Sequence, residues 1–292
     1  MTIAHERLYH QRLAANPLDH PAAVVQWLGA VQAQDYAGAK WSLGLRLRAA
    51  TDDDVERAFN EGAILRTHLL RPTWHFVVPA DIGWLLALTA PRVHALNAPY
   101  YRKIGLDDAL YGRVVDALTG ALRNNTQLTR DELRTVFEQA GIATDGALRM
   151  SYMLMRAELD GIICSGPRRG KQCTYALLKE RAPQARHLVR NDALAELARR
   201  FFGSRGPATL HDFARWSGLT VADARAGLEA VQGELQHKQV DGQRSWLPLA
   251  VIAEETRTPQ AYLLSIYDEY ISGYKDRSAV IDPSYSARLL AL

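Results

Sequence analysis

Only two cysteines, Cys164 and Cys173, occur in 292 residues, too few for the disulfide framework that holds small exported domains together. The hairpin pattern described below places them on facing strands, where a bridge is geometrically allowed; reduced thiols are the other reading. Uncharged apolar runs approaching the roughly 18 residues of a membrane span are missing. The first residues carry charge from His5 onward, unlike an export leader. No membrane partner is therefore expected, and a cytoplasmic location follows. A strong charge of one sign is lacking too: the net charge is +3 and the pI about 8.8, which argues only mildly for a polyanionic partner. There is no glycine-rich phosphate loop and no recognisable nucleophile turn. His68 and His75 lack the third and fourth ligands of a zinc site. Neither a metal nor a cofactor is expected.

What is present is a pattern used three times at uneven spacing: a capped helix, a glycine, then two short strands joined by a turn. The unevenness excludes a regular solenoid. In the first copy Thr51 caps a helix running through Val55 and Phe59 to Gly62, and strands over 63–70 and 73–79 are split by Arg71 and Pro72. In the second, Thr129 and Glu132 have capping-box spacing and open a helix ending near Gly141. A further helix starts near Gly146, with Leu148, Tyr152, Met155 and Leu159 as its expected buried face, and Gly161 ends it. A hairpin over 162–177 follows, with Arg168, Arg169 and Lys171 at its basic tip. In the third, Thr209 caps a helix through Trp216. Thr220 and Asp223 cap the next, whose expected face is Ala224, Leu228, Val231 and Leu235. Strands over 236–240 and 244–249 flank the turn signal Asp241 and Gly242. Helices over 107–123 and 191–202 supply the first helix of the second and third cores.

Helix, helix, hairpin with a basic tip is the order of a winged helix-turn-helix. The expected fold is mainly α with small β-hairpin wings: three tandem winged helix-turn-helix units over 1–80, 81–185 and 186–292, forming a concave DNA-binding surface. Such patterns also occur in protein-interaction modules. The second unit offers Arg149 and Arg156 outside its apolar stripe, whereas the third exposes Asp223 and Glu229 beside Arg225, which would repel phosphate. The units are therefore expected to act as walls of one surface rather than as independent sequence readers.

Between Trp27 and Trp41 the chain gathers Gln32, Gln34, Asp35, Tyr36, Lys40 and Trp41 among small residues, which permit close approach by a ligand. Side chains two apart diverge on a helix and share a side on extended chain. Gln32 and Gln34 can thus serve one site only where the backbone is not regular helix. The competing reading is that both amides merely satisfy backbone groups at a helix end.

The runs at 30–36 (AVQAQDY), 66–77 (RTHLLRPTWHFV) and 267–277 (YDEYISGYKDR) together resemble the AlkZ-like winged-helix DNA glycosylases, over nearly the whole chain. The resemblance implies three tandem winged helices and excision of N7-alkylated guanine, in some members from interstrand crosslinks. It implies a Gln-x-Gln motif matched here by Gln32 and Gln34. Asp35 is a candidate for an electrostatic role, although its adjacent position turns it to the other side on extended chain. The implied activity is that of a monofunctional glycosylase, a nucleoid-associated monomer acting on double-stranded DNA that carries alkylated or crosslinked guanine. Many relatives are known only as winged-helix DNA-binding proteins, so a non-catalytic DNA-binding protein or transcription regulator is the alternative. In the first hairpin the alternation of side chains leads us to place Trp74 in the core, with His75 and Arg71 facing nucleic acid; a hydrogen-bonded structural histidine is the other reading of His75. Lys40 and Trp41 join the expected DNA surface. The residues 268–270 with Lys275, Asp276 and Arg277 either close the cleft on DNA or form surface ion pairs. The family pattern carries further strands after a point such as Leu292, so the apolar ending 289–292 is expected to reflect a truncated third unit.

Overall fold

A computed structural model describes residues 2–14, 16–146, 148–240, 242–249 and 261–285. In chain order its elements begin with α1 (Ile3–His10), α2 (Pro21–Leu28), β1 (Val31–Gln32), α3 (Tyr36–Gly44), α4 (Asp52–Asn60), β2 (Leu65–Leu69) and β3 (Thr73–Val77). They continue with α5 (Pro79–Lys103), α6 (Asp108–Ala121), β4 (Leu128–Thr129), α7 (Arg130–Gln139), α8 (Arg149–Leu159), β5 (Ile163–Arg169) and β6 (Gln172–Leu177). The last are α9 (Leu178–Arg181), α10 (Arg190–Arg205), α11 (Leu210–Ser217), α12 (Val221–Val231), β7 (Leu235–Val240), β8 (Gln243–Pro248) and α13 (Glu269–Ser272). The chain divides into two compact units. One joins Met1–Asp52 to Arg190–Leu292, and the other is Asp53–Val189.

In the unit of residues 53–189 the elements from α6 to β6 run helix, strand, helix, helix, hairpin. The short strand β4, absent from the sequence pattern, pairs antiparallel with β6, which also pairs with β5. α7 starts where Thr129 accepts the Glu132 amide and Glu132 accepts the Thr129 amide, so two orphan donors are satisfied at once. α8 is apolar on two sides. Met150, Met153, Leu154 and Ala157 enter the core with Val114, Leu118, Leu133 and Phe137, whereas Met155 packs on the small cluster of Ala90, Val93 and Leu159. Leu148, expected on the buried face, is exposed, and Tyr152 is half-buried and stacks on Tyr100. The expected stripe is therefore rotated, because an 11-residue helix with apolar residues on both sides does not declare which side meets the larger core. At the end of α4 the Arg181 guanidinium donates to the carbonyls of Phe59 and Asn60, a long-range contact on the last carbonyls of the helix, of which that of Phe59 also accepts the Gly62 N–H.

The unit built from both chain ends has its core where Phe201, Phe202, Phe213 and Trp216 pack ring on ring, with centroids 5.1 to 5.4 Å apart. α11 opens with a capping box between Thr209 and Asp212 and closes on Gly218 in the left-handed region. α12 is capped by Thr220 and buries Ala224, Gly227, Leu228 and Val231. Leu235, expected on that helix face, instead begins β7 and is buried there. Gly227 lets α12 approach α10: a Cβ there would lie 2.7 Å from the Leu194 carbonyl oxygen. β7 and β8 form a hairpin whose Trp246 also pairs in antiparallel fashion with Ala208. Asp241 of its expected turn and the apolar ending 289–292 lie outside the described residues.

Among the described residues no helix is long and apolar enough to cross a membrane. Cys164 is buried and Cys173 exposed, and both are free thiols. Cys164 pairs in register with Ala176 rather than with Cys173, because the β5–β6 hairpin turns later than the sequence suggested and carries a register shift between Gly166 and Arg169.

Candidate functional site

The backbone carrying the two glutamines is not helical. α2 stops at Leu28, Gly29 turns the chain at φ +79°, and α3 begins only at Tyr36, leaving residues 30–35 irregular or extended. The requirement that the sequence placed on Gln32 and Gln34 is met. Ala33 between them is fully buried; Gln32 keeps 9% of its surface and Gln34 is exposed. The Asp35 side chain is exposed at the N-cap position of α3. A Cβ on Gly38 would fall 2.6 Å from Asp35 Oδ2, so the absence of a side chain there makes room for that carboxylate over the first turn of α3.

Residues far along the chain hold this loop. Arg205, fully buried at the end of α10, donates from Nη1 to the Leu28 carbonyl at 2.7 Å and from Nη2 to the Ala30 carbonyl at 3.2 Å. The same guanidinium pairs with Glu269 at 2.6 Å, and Glu269 Oε2 also accepts the Trp216 indole N–H at 2.9 Å. The other oxygen, Oε1, accepts the backbone N–H of Gln32 at 2.9 Å. Next to it, Arg46 pairs with Asp268, and Gln11 joins the two ion pairs: its amide nitrogen donates to the Glu269 carbonyl and its amide oxygen accepts from Arg46. Tyr274 completes the group by donating to the Arg205 carbonyl at 2.8 Å. Burial by itself would raise the Asp268 carboxyl, but the Arg46 guanidinium, the Ser42 hydroxyl and the Tyr270 amide outweigh it and hold it below the usual carboxylate range.

The 267–277 run thus corrects one reading of the sequence. Two of its three acidic members, Asp268 and Glu269, are buried ion-pair partners and form neither a surface network nor a lining open to solvent; Asp276 is exposed. Lys275 is exposed and its backbone N–H donates to Asp212 Oδ1. Arg277 is half-buried, and burial followed by the nearby Arg215 charge lowers its pKa from the ordinary arginine value. In the same unit Lys40 pairs with Asp52 at 2.7 Å, and Trp41, 51% exposed, donates its indole N–H to the Leu263 carbonyl.

In the unit of residues 53–189 the expected roles of the first hairpin are reversed in burial. His75 is fully buried and its Nδ1 donates to the Thr73 carbonyl at 2.9 Å, whereas Trp74 is half-buried. Burial along β3 rises from the turn toward the base, so distance from the tip, and not strand face, sets it. Trp74 stacks near His68, itself bonded to buried Glu158, and lies under the Arg66 guanidinium. Arg71, at the turn, is half-buried. Arg156 lies 3.8 Å over the Tyr111 ring and pairs with Asp108; Arg149 is half-buried. At the hairpin tip Arg168 pairs with Glu56 and Arg169 with Glu132, while Lys171 is exposed.

A model of the family described as DNA glycosylase AlkZ-like matches residues 25–291, and the chain belongs to that family. An interstrand DNA cross-link repair glycosylase of Streptomyces sahachiroi is 27% identical over 286 residues, covering 93% of this chain and 76% of that protein. The solved structure of the DNA glycosylase AlkZ from the same organism superposes with a TM-score of 0.79 at 24% identity, over 97% of this chain and 80% of that one, a likeness of fold.

Proposed function

We propose that the chain is a monofunctional DNA glycosylase. In this reading it hydrolyses the N-glycosidic bond of N7-alkylated guanine in double-stranded DNA, crosslinked guanine included, and Gln32 and Gln34 hold the attacking water. The observation that carries the reading is the non-helical backbone of residues 30–35, fixed at Leu28, Ala30 and Gln32 by buried charges. An N7-alkylguanine is already cationic, so it departs with the bonding electrons of its N9–C1′ bond without a general acid. The enzyme's work is then to place a water at C1′ and to stabilise the oxocarbenium-like centre. Neutral amides suit the first task and the exposed carboxylate of Asp35 suits the second. Three helix–helix–hairpin modules serve as winged units that grip the duplex, with Lys40, Trp41, Arg71, Arg149, Arg156, Arg168, Arg169, Lys171, Lys275 and Arg277 as phosphate or base contacts. His75, fully buried and bonded to the Thr73 carbonyl, is not among these contacts.

The test is release of 7-methylguanine from methylated duplex DNA and unhooking of a crosslinked duplex. Gln34→Ala is expected to lose release by at least about 100-fold while its circular dichroism and Tm stay unchanged. Failure of the unaltered protein to release any N7-alkylated base would overturn the proposal. Selection of one preferred DNA sequence without base release would mark a regulator instead.

A further inference from the structure

Three backbone atoms around the Gln-x-Gln segment are held by one buried ion pair. Arg205 reaches the carbonyls of Leu28 and Ala30, on either side of Gly29, and Glu269 reaches the N–H of Gln32. The two oxygens of Glu269 divide the work. Oε2 takes Arg205 and the Trp216 indole, which fixes the carboxylate, and Oε1 is left directed at Gln32. Arg205 and Glu269 are nearly closed to solvent, with side chains 0% and 1% exposed, so the carboxylate is not free to swing. Gly273 lets the two meet: a Cβ there would sit 2.6 Å from the Glu269 carbonyl oxygen and 3.3 Å from Arg205 Cδ.

We infer that Glu269 is a positioning residue for base excision, setting through the Gln32 amide the register in which both glutamine side chains meet the water. The inference rests on the glycosylase reading above. A carboxylate is needed because the group must accept from three donors at once: a guanidinium, an indole and a peptide N–H. Misplacement of a reacting group by about 1 Å lowers rates by about 100-fold, so a loop free to drift by that much would lose most of its activity while still binding DNA.

Glu269→Asp provides the test. It keeps the negative charge beside Arg205 and Trp216 but, one methylene shorter, withdraws from Gln32. Three quantities are read on the full chain: amide exchange at Gln32, single-turnover release of 7-methylguanine, and affinity for a duplex carrying an abasic site. The expected result is Gln32 exchange faster by about 10-fold or more, release slower by about 10- to 100-fold, and affinity within about threefold of the parent. Added to a variant that lacks both side chains (Gln32→Ala with Gln34→Ala), Glu269→Asp should cause no further slowing, since a register matters only while the glutamines are there. Unchanged Gln32 exchange overturns the inference, and so does faster exchange with an unchanged rate. Were Glu269→Asp not to fold, Glu269→Gln, which keeps the side-chain length, is measured in the same way. If the parent protein releases no base, the glycosylase reading fails and the exchange measurement alone decides whether Glu269 holds the loop.

Discussion

Arg46 and Asp268 meet as a two-pronged pair, with Nη1 on Oδ2 and Nη2 on Oδ1 both at 2.9 Å and both side chains closed to solvent. They lie 222 residues apart in sequence, and they lock α3 to the segment that carries Glu269. Removing one partner leaves an uncompensated buried charge. Arg46→Met is therefore expected to destabilise by about 3–5 kcal/mol, and the double change Arg46→Met with Asp268→Leu to recover much of that. Urea unfolding of the single and double variants is the measurement, and equal midpoints for the Arg46→Met protein and its parent would show the pair to be dispensable.

The same pair sets a lower pH limit. The folded Asp268 carboxyl titrates below its ordinary value, so its contribution is fully present above the unfolded pKa of about 4 and is lost as pH falls through the lower folded value. His10 acts at a higher pH. Burial first, then the charges of Arg12 and Lys238, push it down from 6.5 to about 4, and its Nε2 has no hydrogen-bond partner among the described residues. A depressed histidine favours the unfolded state once protonated. Stability is thus whole above pH 6.5 and declines between 6.5 and about 4, by at most about 3 kcal/mol. His10→Phe should flatten the unfolding midpoint over that range; an unchanged slope would remove His10 as its cause.

The two thiols should behave oppositely. Burial pushes Cys164 up to about 12, which leaves almost no thiolate at neutral pH, whereas Cys173 is exposed. A thiol reagent at pH 8 is expected to modify one cysteine per folded chain and two after denaturation. Peptide mapping should place the first label on Cys173.

Gly227→Ala would drive a methyl group to 2.7 Å from the Leu194 carbonyl oxygen and 3.2 Å from its carbon. Both are backbone atoms, so α10 and α12 must separate. A loss of about 1–3 kcal/mol is expected from overpacking, read as a lower urea midpoint at unchanged slope.

Asp35→Asn tests the electrostatic part of the proposed chemistry. Its side chain is exposed and makes no capping bond to α3, so Tm should stay within a degree or two. Base release should fall by about 10-fold or more if the carboxylate faces the developing positive charge. An unchanged rate would assign Asp35 no part in it.

Much of the local architecture could be read from spacing alone. The box at Thr129 with Glu132 and the cap at Thr209 form as expected, because capping joins residues three apart and the signal is contained in the pattern; that Asp212 closes the second cap into a box is seen only in the structure. The demand for irregular backbone at Gln32 and Gln34 was legible for the same reason. Hidden from the sequence were the partners of Glu269, since Gln32 lies 237 residues away and Arg205 64, and no periodicity spans such gaps. Alternation along 73–77 could not assign Trp74 and His75 either, because both strand faces at the base of that hairpin are covered.

The unit that carries the glutamines is built from the first 52 residues and the chain after residue 189, and this fixes the order in which it can be made. On the ribosome, Gln32 and Gln34 emerge early, but the carboxylate that receives the Gln32 amide is made 237 residues later. At about 5–20 residues per second that is a delay of about 12 to 47 seconds. A nascent chain, or one cut short before Glu269, holds both glutamines without the carboxylate that accepts the Gln32 amide. In the proposed reading the loop is thus held only once Glu269 has been made, and fragments that stop before it are expected to leave DNA bases untouched.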